Sequence, residues 1–184
     1  MTRTPPPPVD ALPADLVTLA IQRPTDAQMG QLISAARAAR AQAYAPYSHF
    51  AVGAALLDEH GRVHAGCNVE NAAFPQSQCA EASAIAHLVL AGGRRILAAV
   101  VVGVADDPVT PCGGCRQRLR EFAADDAPVW TADLHSVRAR FTLGALLPAS
   151  FGPGHLAGRA SPADPAAQPT APPAPPAPPN LHRP

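Results

Sequence analysis

The placement of proline is the feature that most restricts how this chain can fold. Of its 23 prolines, five lie within the first thirteen residues and ten within the last twenty-four. Proline has no amide hydrogen to donate, and segments rich in proline and alanine bury too little apolar surface to offset the entropy lost on ordering. We therefore predict disordered ends at residues 1–24 and 153–184, and one folded domain at residues 25–152.

Composition and charge exclude several classes of protein. Forty of the 184 residues are alanine and eight are aromatic, which predicts a core built from small side chains, leucine and valine. Fourteen acidic residues balance fourteen basic ones, so the sequence indicates no polyanion-binding surface and no nucleic-acid partner. The longest apolar run, 96–104, is about half the length of a membrane span, and the proline-rich start is unlike a signal peptide. We therefore expect a cytoplasmic protein without a membrane partner.

Helical and strand-like patterns alternate along the body of the chain. Thr25 or Asp26 caps the first predicted helix, and a turn-rich link at 58–61 joins the first two strands. The predicted helices are 26–43, 79–90, 112–122 and 142–147, and the predicted strands are 51–57, 62–69, 96–104, 129–132 and 137–141. This order predicts an α/β fold, a mixed sheet with helices on both faces.

The cysteines carry the strongest functional signal. Cys79 begins one predicted helix, and Cys112 and Cys115 begin another in a C-x-x-C that follows Pro111. Two helix N-termini beside one sheet would bring three thiols together and favour their thiolate forms. Three protein ligands leave a fourth tetrahedral position for water, which is typical of catalytic zinc. Cys67 and the seven histidines have no ligand spacing, and we interpret Cys67 as a packed core thiol.

Glu81 decides between a structural and a catalytic metal site. It follows Cys79 by two residues, where a carboxylate can exchange protons with water at the metal without binding the metal. A bare C-x-x-C is also compatible with redox chemistry or structural zinc, and a lone glutamate here is compatible with a solvated first-turn residue. The combined pattern, C-x-E followed by P-C-x-x-C, is that of the zinc deaminases.

Residues 26–156 resemble the small, homotetrameric, tri-cysteine cytidine deaminases. The resemblance rests on AYAPYSHF at 43–50, VGAAL at 52–56, GCNVENA at 66–72, CAE at 79–81, PCGGCRQ at 111–117, LLP at 146–148 and FGP at 151–153. It implies a five-stranded mixed sheet, sites where subunits meet, one Zn²⁺ per subunit, and hydrolytic deamination of cytidine and 2′-deoxycytidine in pyrimidine salvage. It also implies that Glu81 takes a proton from the attacking water and returns protons to N3 and the departing amine.

The same resemblance implies how the nucleoside is held. Asn68 and Glu70 bind the ribose, chiefly its 3′-hydroxyl, Phe50 packs on the pyrimidine ring, and Ala80 also contacts the substrate. Alternate residues of a strand share one face, so Asn68 and Glu70 can act on a single hydroxyl, although a plain polar strand end gives the same pattern. A carboxylate there repels a 3′-phosphate, so we expect free nucleosides to be preferred and free cytosine to be a poor substrate.

Two positions depart from the family pattern. Many relatives carry arginine after the catalytic glutamate, where this chain has Ala82, and Phe74 stands where relatives often have tyrosine. Three thiolates on Zn²⁺ leave a net negative charge, and we interpret Arg116, next to Cys115, as a compensating cation.

Three other functions remain open at this level. The chain could deaminate another cytosine nucleoside, such as an antibiotic of the blasticidin S kind. It could be a catalytically silent zinc module with a proline-rich adaptor tail, or a nucleic-acid-editing deaminase. Glu81, Asn68 and Glu70 weigh against the silent module, and zero net charge with few aromatics weighs against the editing enzyme.

Overall fold

The computed structural model describes residues 24–156. The helices are α1 (Asp26–Arg40), α2 (Ala80–Leu90), α3 (Gly113–Phe122) and α4 (Leu143–Leu146), with short 3₁₀ turns at Phe74–Gln76 and Pro153–His155. The strands are β1 (Gly53–Asp58), β2 (Val63–Cys67), β3 (Ile96–Val102), β4 (Pro128–Ala132) and β5 (Val137–Thr142). Every predicted element is present, in the predicted order.

The five strands form one mixed sheet in the order β2-β1-β3-β4-β5. Only the β3–β4 pair is parallel, and the three other pairs are antiparallel. Helix α1 covers one face of the sheet. There, Leu32 and Ala36 pack in a cluster with Leu57 of β1 and Val100 of β3. The other face packs against α2, α3 and α4 in a second cluster. The predicted α/β fold, a five-stranded mixed sheet with helices on both faces, is confirmed.

Several boundaries differ from the sequence prediction by one to three residues, and two of these differences lie beside the site. Helix α1 starts at the predicted cap, with Thr25 Oγ1 accepting from the Gln28 amide at 3.2 Å, but it ends at Arg40, three residues early. Strand β2 ends at Cys67, two residues early. Both stop because the chain leaves the regular elements to form a bridge between Tyr44 and Val69, in which the Tyr44 amide donates to Asn68 O at 3.0 Å.

The β1–β2 hairpin encloses a buried carboxylate. Asp58 is fully buried and accepts hydrogen bonds from His64 Nε2 at 2.8 Å, Arg62 Nε at 2.7 Å and the backbone amides of His60 and Arg62. Burial alone would raise the pKa of Asp58, but these hydrogen bonds, led by that of His64, lower it to about 2. The turn is therefore held by an ionised carboxylate.

Helix α2 lies against β2 at a glycine. A Cβ on Gly66 would lie 2.4 Å from the Ala84 amide nitrogen and 2.7 Å from Ala80 O. Only a residue without a side chain lets the helix approach so closely. This contact fixes the first turns of α2, which carry residues of the candidate site.

One compact unit ends at Gly152. Apart from Pro24 and residues 153–156, the ends predicted to be disordered, 1–24 and 153–184, lie outside the described residues. None of the helices within residues 24–156 is long and apolar enough to cross a membrane.

Candidate metal centre and active site

Three cysteine side chains meet where two helices begin. Cys79 is the N-cap of α2, Cys112 is the N-cap of α3, and Cys115 lies in the first turn of α3. The Cys79 and Cys112 sulfurs are 3.9 Å apart, and all three sulfurs lie within 4.8 Å of one another. Tetrahedral zinc with Zn–S bonds of about 2.3 Å separates its sulfur ligands by about 3.8 Å. The donor set and its spacing therefore fit Zn²⁺.

Topology brings these ligands together across 33 residues of sequence. Helix α2 runs into β3 through the turn at Gly92, and β3 runs out through a loop into α3. Because one helix precedes the strand and the other follows it, both N-termini lie at the carboxyl end of β3. The buried strand β3 therefore brings Cys79 close to Cys112 and Cys115, because it joins the helices that carry them.

The thiols differ in how readily they ionise. Burial raises the pKa of the Cys115 thiol, and the neighbouring Glu81 carboxylate raises it further. Burial also raises the pKa of Cys79. It opposes ionisation of Cys112 too, but hydrogen bonds that its sulfur receives from Cys115 and Cys79 lower its pKa overall. A bound cation deprotonates coordinating thiols, so Zn²⁺ would favour the thiolate forms of Cys79 and Cys115 against the effect of burial.

Glu81 is buried beside the thiols. Its side chain is 4% exposed, and Cys115 Sγ donates to Glu81 Oε2 at 3.2 Å. The carboxylate therefore faces the three sulfurs, and the alternative of a solvated first-turn glutamate is wrong. A buried carboxylate within reach of a metal's remaining coordination position is suited to proton transfer.

A cavity of about 480 Å³ opens next to Cys79. This volume lies within the range of small-molecule sites. The lining residues come from the turn after α1, the segment after β2 and the approach to α2: Tyr47, Ser48, Asn68, Glu70, Phe74, Ser77, Gln78 and Cys79. Tyr47 and Phe74 meet edge to face, with ring centroids 5.8 Å apart. The lining therefore combines aromatic faces, polar groups and one carboxylate.

Asn68 and Glu70 both line this cavity, and the protein itself fixes both side chains. Asn68 Oδ1 accepts from the Val52 amide at 2.8 Å, and its Nδ2 donates to Phe50 O at 2.9 Å. Glu70 Oε2 accepts from the Tyr47 and Ser48 amides at 2.8 and 3.2 Å, and the Ser48 hydroxyl donates to Oε1. These hydrogen bonds, led by that of the Ser48 hydroxyl, lower the pKa of Glu70.

Three other residues considered from the sequence are not among the lining residues of this cavity. Phe50 is 39% exposed and is outside the cavity lining, while Ala80, the first residue of α2, is buried. The Arg116 guanidinium donates to Pro111 O and Leu146 O, both at 2.8 Å, and to Thr110 Oγ1 at 2.9 Å, so these hydrogen bonds go to oxygens and not to a cysteine sulfur.

Cys67 lies outside the thiol cluster, as expected, but it is only half-buried and is not a core thiol. Its Sγ lies 3.6 Å from Gln42 O. Among residues 24–156, Cys79, Cys112 and Cys115 form the one group of three possible metal ligands.

Ser48, Ser77 and Gln78 also line the cavity, although no sequence pattern predicts a role for them. Nothing in their local pattern marks them, because each reaches the cavity through long-range pairing. The bridges Tyr44–Val69 and Val69–Gln78 align all three segments. The one available signal is that Ser48 lies in a stretch that carries the family resemblance.

The fold and the site together define a class. A tri-thiolate zinc centre, a buried carboxylate beside it and a cavity of nucleoside size are the features of a zinc-dependent hydrolytic deaminase. A sequence model described as the cytidine and deoxycytidylate deaminase zinc-binding region matches residues 27–131, and the chain belongs to this family.

Individual relatives agree with this membership. The chain is 44% identical over 121 residues to the cytidine deaminase of Sporosarcina psychrophila, covering 66% of this chain and 89% of the relative. It is 42% identical over 126 residues to that of Halalkalibacterium halodurans, covering 68% and 94%. The crystal structure of cytidine deaminase from Burkholderia pseudomallei superposes with a TM-score of 0.63 at 43% identity, covering 66% of this chain and 98% of that one.

Proposed function

We propose that this chain converts cytidine and 2′-deoxycytidine to uridine and 2′-deoxyuridine, consuming one water and releasing one ammonia. The observation that carries the proposal is the buried Glu81 carboxylate, 3.2 Å from the Cys115 sulfur at a cluster of three thiols. The cavity that opens beside Cys79 gives a nucleoside access to that cluster.

Cys79, Cys112 and Cys115 hold one Zn²⁺ per subunit. When bound, zinc supplies Lewis acidity that makes a water molecule acidic near neutral pH. Glu81 takes one proton from the attacking water as the water oxygen adds to C4 of cytosine, and it passes this proton to N3. Glu81 then takes the second proton from the hydroxyl now on C4 and gives it to the amine, which leaves as ammonia as the C4–N bond breaks. The burial of Glu81 shields these transfers from bulk water.

Asn68 and Glu70 hold the sugar through its 3′-hydroxyl, Phe50 packs on the pyrimidine ring, and Ala80 contacts the substrate. The proposal for the sugar is supported by the presence of Asn68 and Glu70 in the lining of the same cavity as Cys79. A nucleoside has both a base that must reach the metal and a sugar that must be fixed, and the cavity offers groups for each.

Free nucleosides are the proposed substrates, although the family name also includes deoxycytidylate. The described lining contains one carboxylate, Glu70, and no arginine or lysine. A phosphate monoester carries close to two negative charges at neutral pH, so this lining repels it and offers no cation to neutralise it. We expect cytidine 5′-monophosphate and 2′-deoxycytidine 5′-monophosphate to be poor substrates.

The assembled state belongs to the proposal as well. We propose a homotetramer in which neighbouring subunits cover exposed aromatic rings: Tyr47 and Phe74, which line the cavity, are 50% and 70% exposed, and Tyr44 is 57% exposed. Residues 25–152 form the deaminase domain in each subunit. We also propose a cytoplasmic role in pyrimidine salvage, since all four cysteines carry free thiols, as a reducing compartment maintains them.

The test follows the loss of ultraviolet absorbance when zinc-loaded protein is incubated with cytidine, 2′-deoxycytidine, cytosine or the two monophosphates. We expect turnover of the two nucleosides alone, and loss of turnover after removal of zinc by a strong chelator. Glu81→Gln keeps the size of the side chain and removes the base, so it should retain zinc and lose at least about 100-fold in kcat. A zinc-loaded Glu81→Gln variant with the parental rate would contradict the role of Glu81.

A further inference from the structure

The turn at residues 45–50 carries a chain of hydrogen bonds that ends on Glu70. The Phe50 amide donates to Ser48 Oγ at 3.0 Å, and the Ser48 hydroxyl donates to Glu70 Oε1. A hydroxyl has one proton, so accepting from Phe50 leaves that proton free for the carboxylate. Hydrogen bonds in series polarise and strengthen one another.

Backbone geometry in the same turn makes this chain of bonds possible. His49 has a φ of 57°, in the left-handed region, and its amide donates to Ala45 O at 3.1 Å. The left-handed residue reverses the chain between Ser48 and Phe50, so that the Phe50 amide faces the serine hydroxyl. Such a conformation costs a non-glycine residue about 1 kcal/mol, and it persists where surrounding contacts fix it.

Counting acceptor sites shows what remains for a ligand. A carboxylate offers about four lone-pair positions, and Tyr47 N, Ser48 N and Ser48 Oγ occupy three of those on Glu70. The Asn68 amide group likewise has one N–H and one lone pair left after its bonds to Phe50 O and Val52 N. Together they offer a donor and an acceptor, which is what one hydroxyl needs.

We propose that Ser48 is a positioning residue for sugar recognition, a role that rests on the proposed function of this site. Its hydroxyl fixes the Glu70 carboxylate so that a single acceptor position is presented to the 3′-hydroxyl of the nucleoside. Without it, Glu70 loses one of three restraints and exposes a second acceptor position, so the carboxylate no longer favours one hydroxyl geometry. Ser48 itself does not reach the thiols or Glu81 through any of these bonds.

The test compares cytidine with 3′-deoxycytidine, which lacks the hydroxyl in question. In Ser48→Ala we expect KM for cytidine to rise about tenfold, the order expected for a weakened hydrogen bond to a charged group, with kcat within about twofold of the parent. The kcat/KM for 3′-deoxycytidine should stay unchanged, so the preference for cytidine falls about tenfold. Ser48→Thr keeps the hydroxyl and should restore the preference.

Two controls separate this role from simpler ones. Ser48 is exposed, so its truncation leaves no buried cavity, and zinc content and melting temperature should match the parent. Equal losses of kcat/KM on both substrates, or no change on either, would overturn the role of Ser48. Failure of the proposed function looks different, because the zinc-loaded parent itself would then deaminate neither nucleoside.

Discussion

Replacing Gly66 with alanine should damage the active site from a position outside it. The added Cβ would lie 2.4 Å from the Ala84 amide nitrogen, whereas ordinary contacts begin at 3.4 Å. Gly66 does not have a positive φ, so alanine adds no backbone strain there, and the clash with α2 is the reason for the expected loss of stability. Because backbone atoms are in the way, the helix must move by about 1 Å, at a cost of about 3 kcal/mol in the free energy of unfolding.

The same displacement reaches the chemistry. Helix α2 has the ligand Cys79 as its N-cap and carries Glu81 in its first turn. A shift of about 1 Å in a catalytic group commonly lowers the rate about 100-fold. We therefore expect Gly66→Ala to melt roughly 10 °C below the parent and to bind zinc more weakly, with a kcat reduced about 100-fold in the fraction that retains zinc.

Thermal unfolding, zinc content and cytidine turnover measure these effects, and Gly30→Ala is the matched control. Gly30 lies in α1, and a Cβ there would meet nothing within 4 Å. The control should therefore be more stable by about 0.5–1 kcal/mol, with unchanged zinc content and rate. If Gly66→Ala melted with the parent and kept its kcat, α2 would not be packed on β2 through this glycine, and the argument would fail.

Three further predictions concern the hairpin and the metal centre. Because the folded-state pKa of Asp58 lies below its usual 3.8, its stabilisation is present above about pH 4 and is lost as pH falls towards 2. Asp58→Asn should therefore be less stable than the parent by about 2 kcal/mol at pH 7. Its free energy of unfolding, measured by denaturant titration, should fall less than that of the parent as pH is lowered from about 4 to about 2. If both proteins lost the same stability over this range, Asp58 would not be ionised in the folded protein. Cys112→Ser should weaken zinc binding at least about 100-fold in chelator competition, and a stoichiometric zinc content at parental affinity would remove Cys112 from the ligand set. Arg116→Ala should weaken zinc binding about tenfold or more through lost charge and lost bonds to Pro111 and Leu146, while Arg116→Lys should recover part of it; equal affinity in all three proteins would show that this cation does not affect the centre.

Local sequence patterns predicted the elements well, because their information is short-range. The Thr25 cap, the apolar run of β3 and the glycines after α2 each act on neighbours within one or two turns. The boundary errors beside the site occur where a distant segment pairs with the chain. Helix α1 and strand β2 both end early because the Tyr44–Val69 bridge joins residues far apart in sequence, and no local preference encodes that bridge.

The sequence by itself determined the ligand set and the zinc chemistry, because residue type and spacing decide which atoms can bind a soft divalent cation and which carboxylate stands beside them. Only the tertiary structure decided how those groups are held: the burial of Glu81, the partners of Arg116, and the contact of Ser48 with a glutamate 22 residues away. Such contacts depend on how helices dock on the sheet and how bridges align the loops. The docking is set by close packing and hydrogen-bond pairing over the whole domain, and a short sequence motif does not predict these long-range contacts.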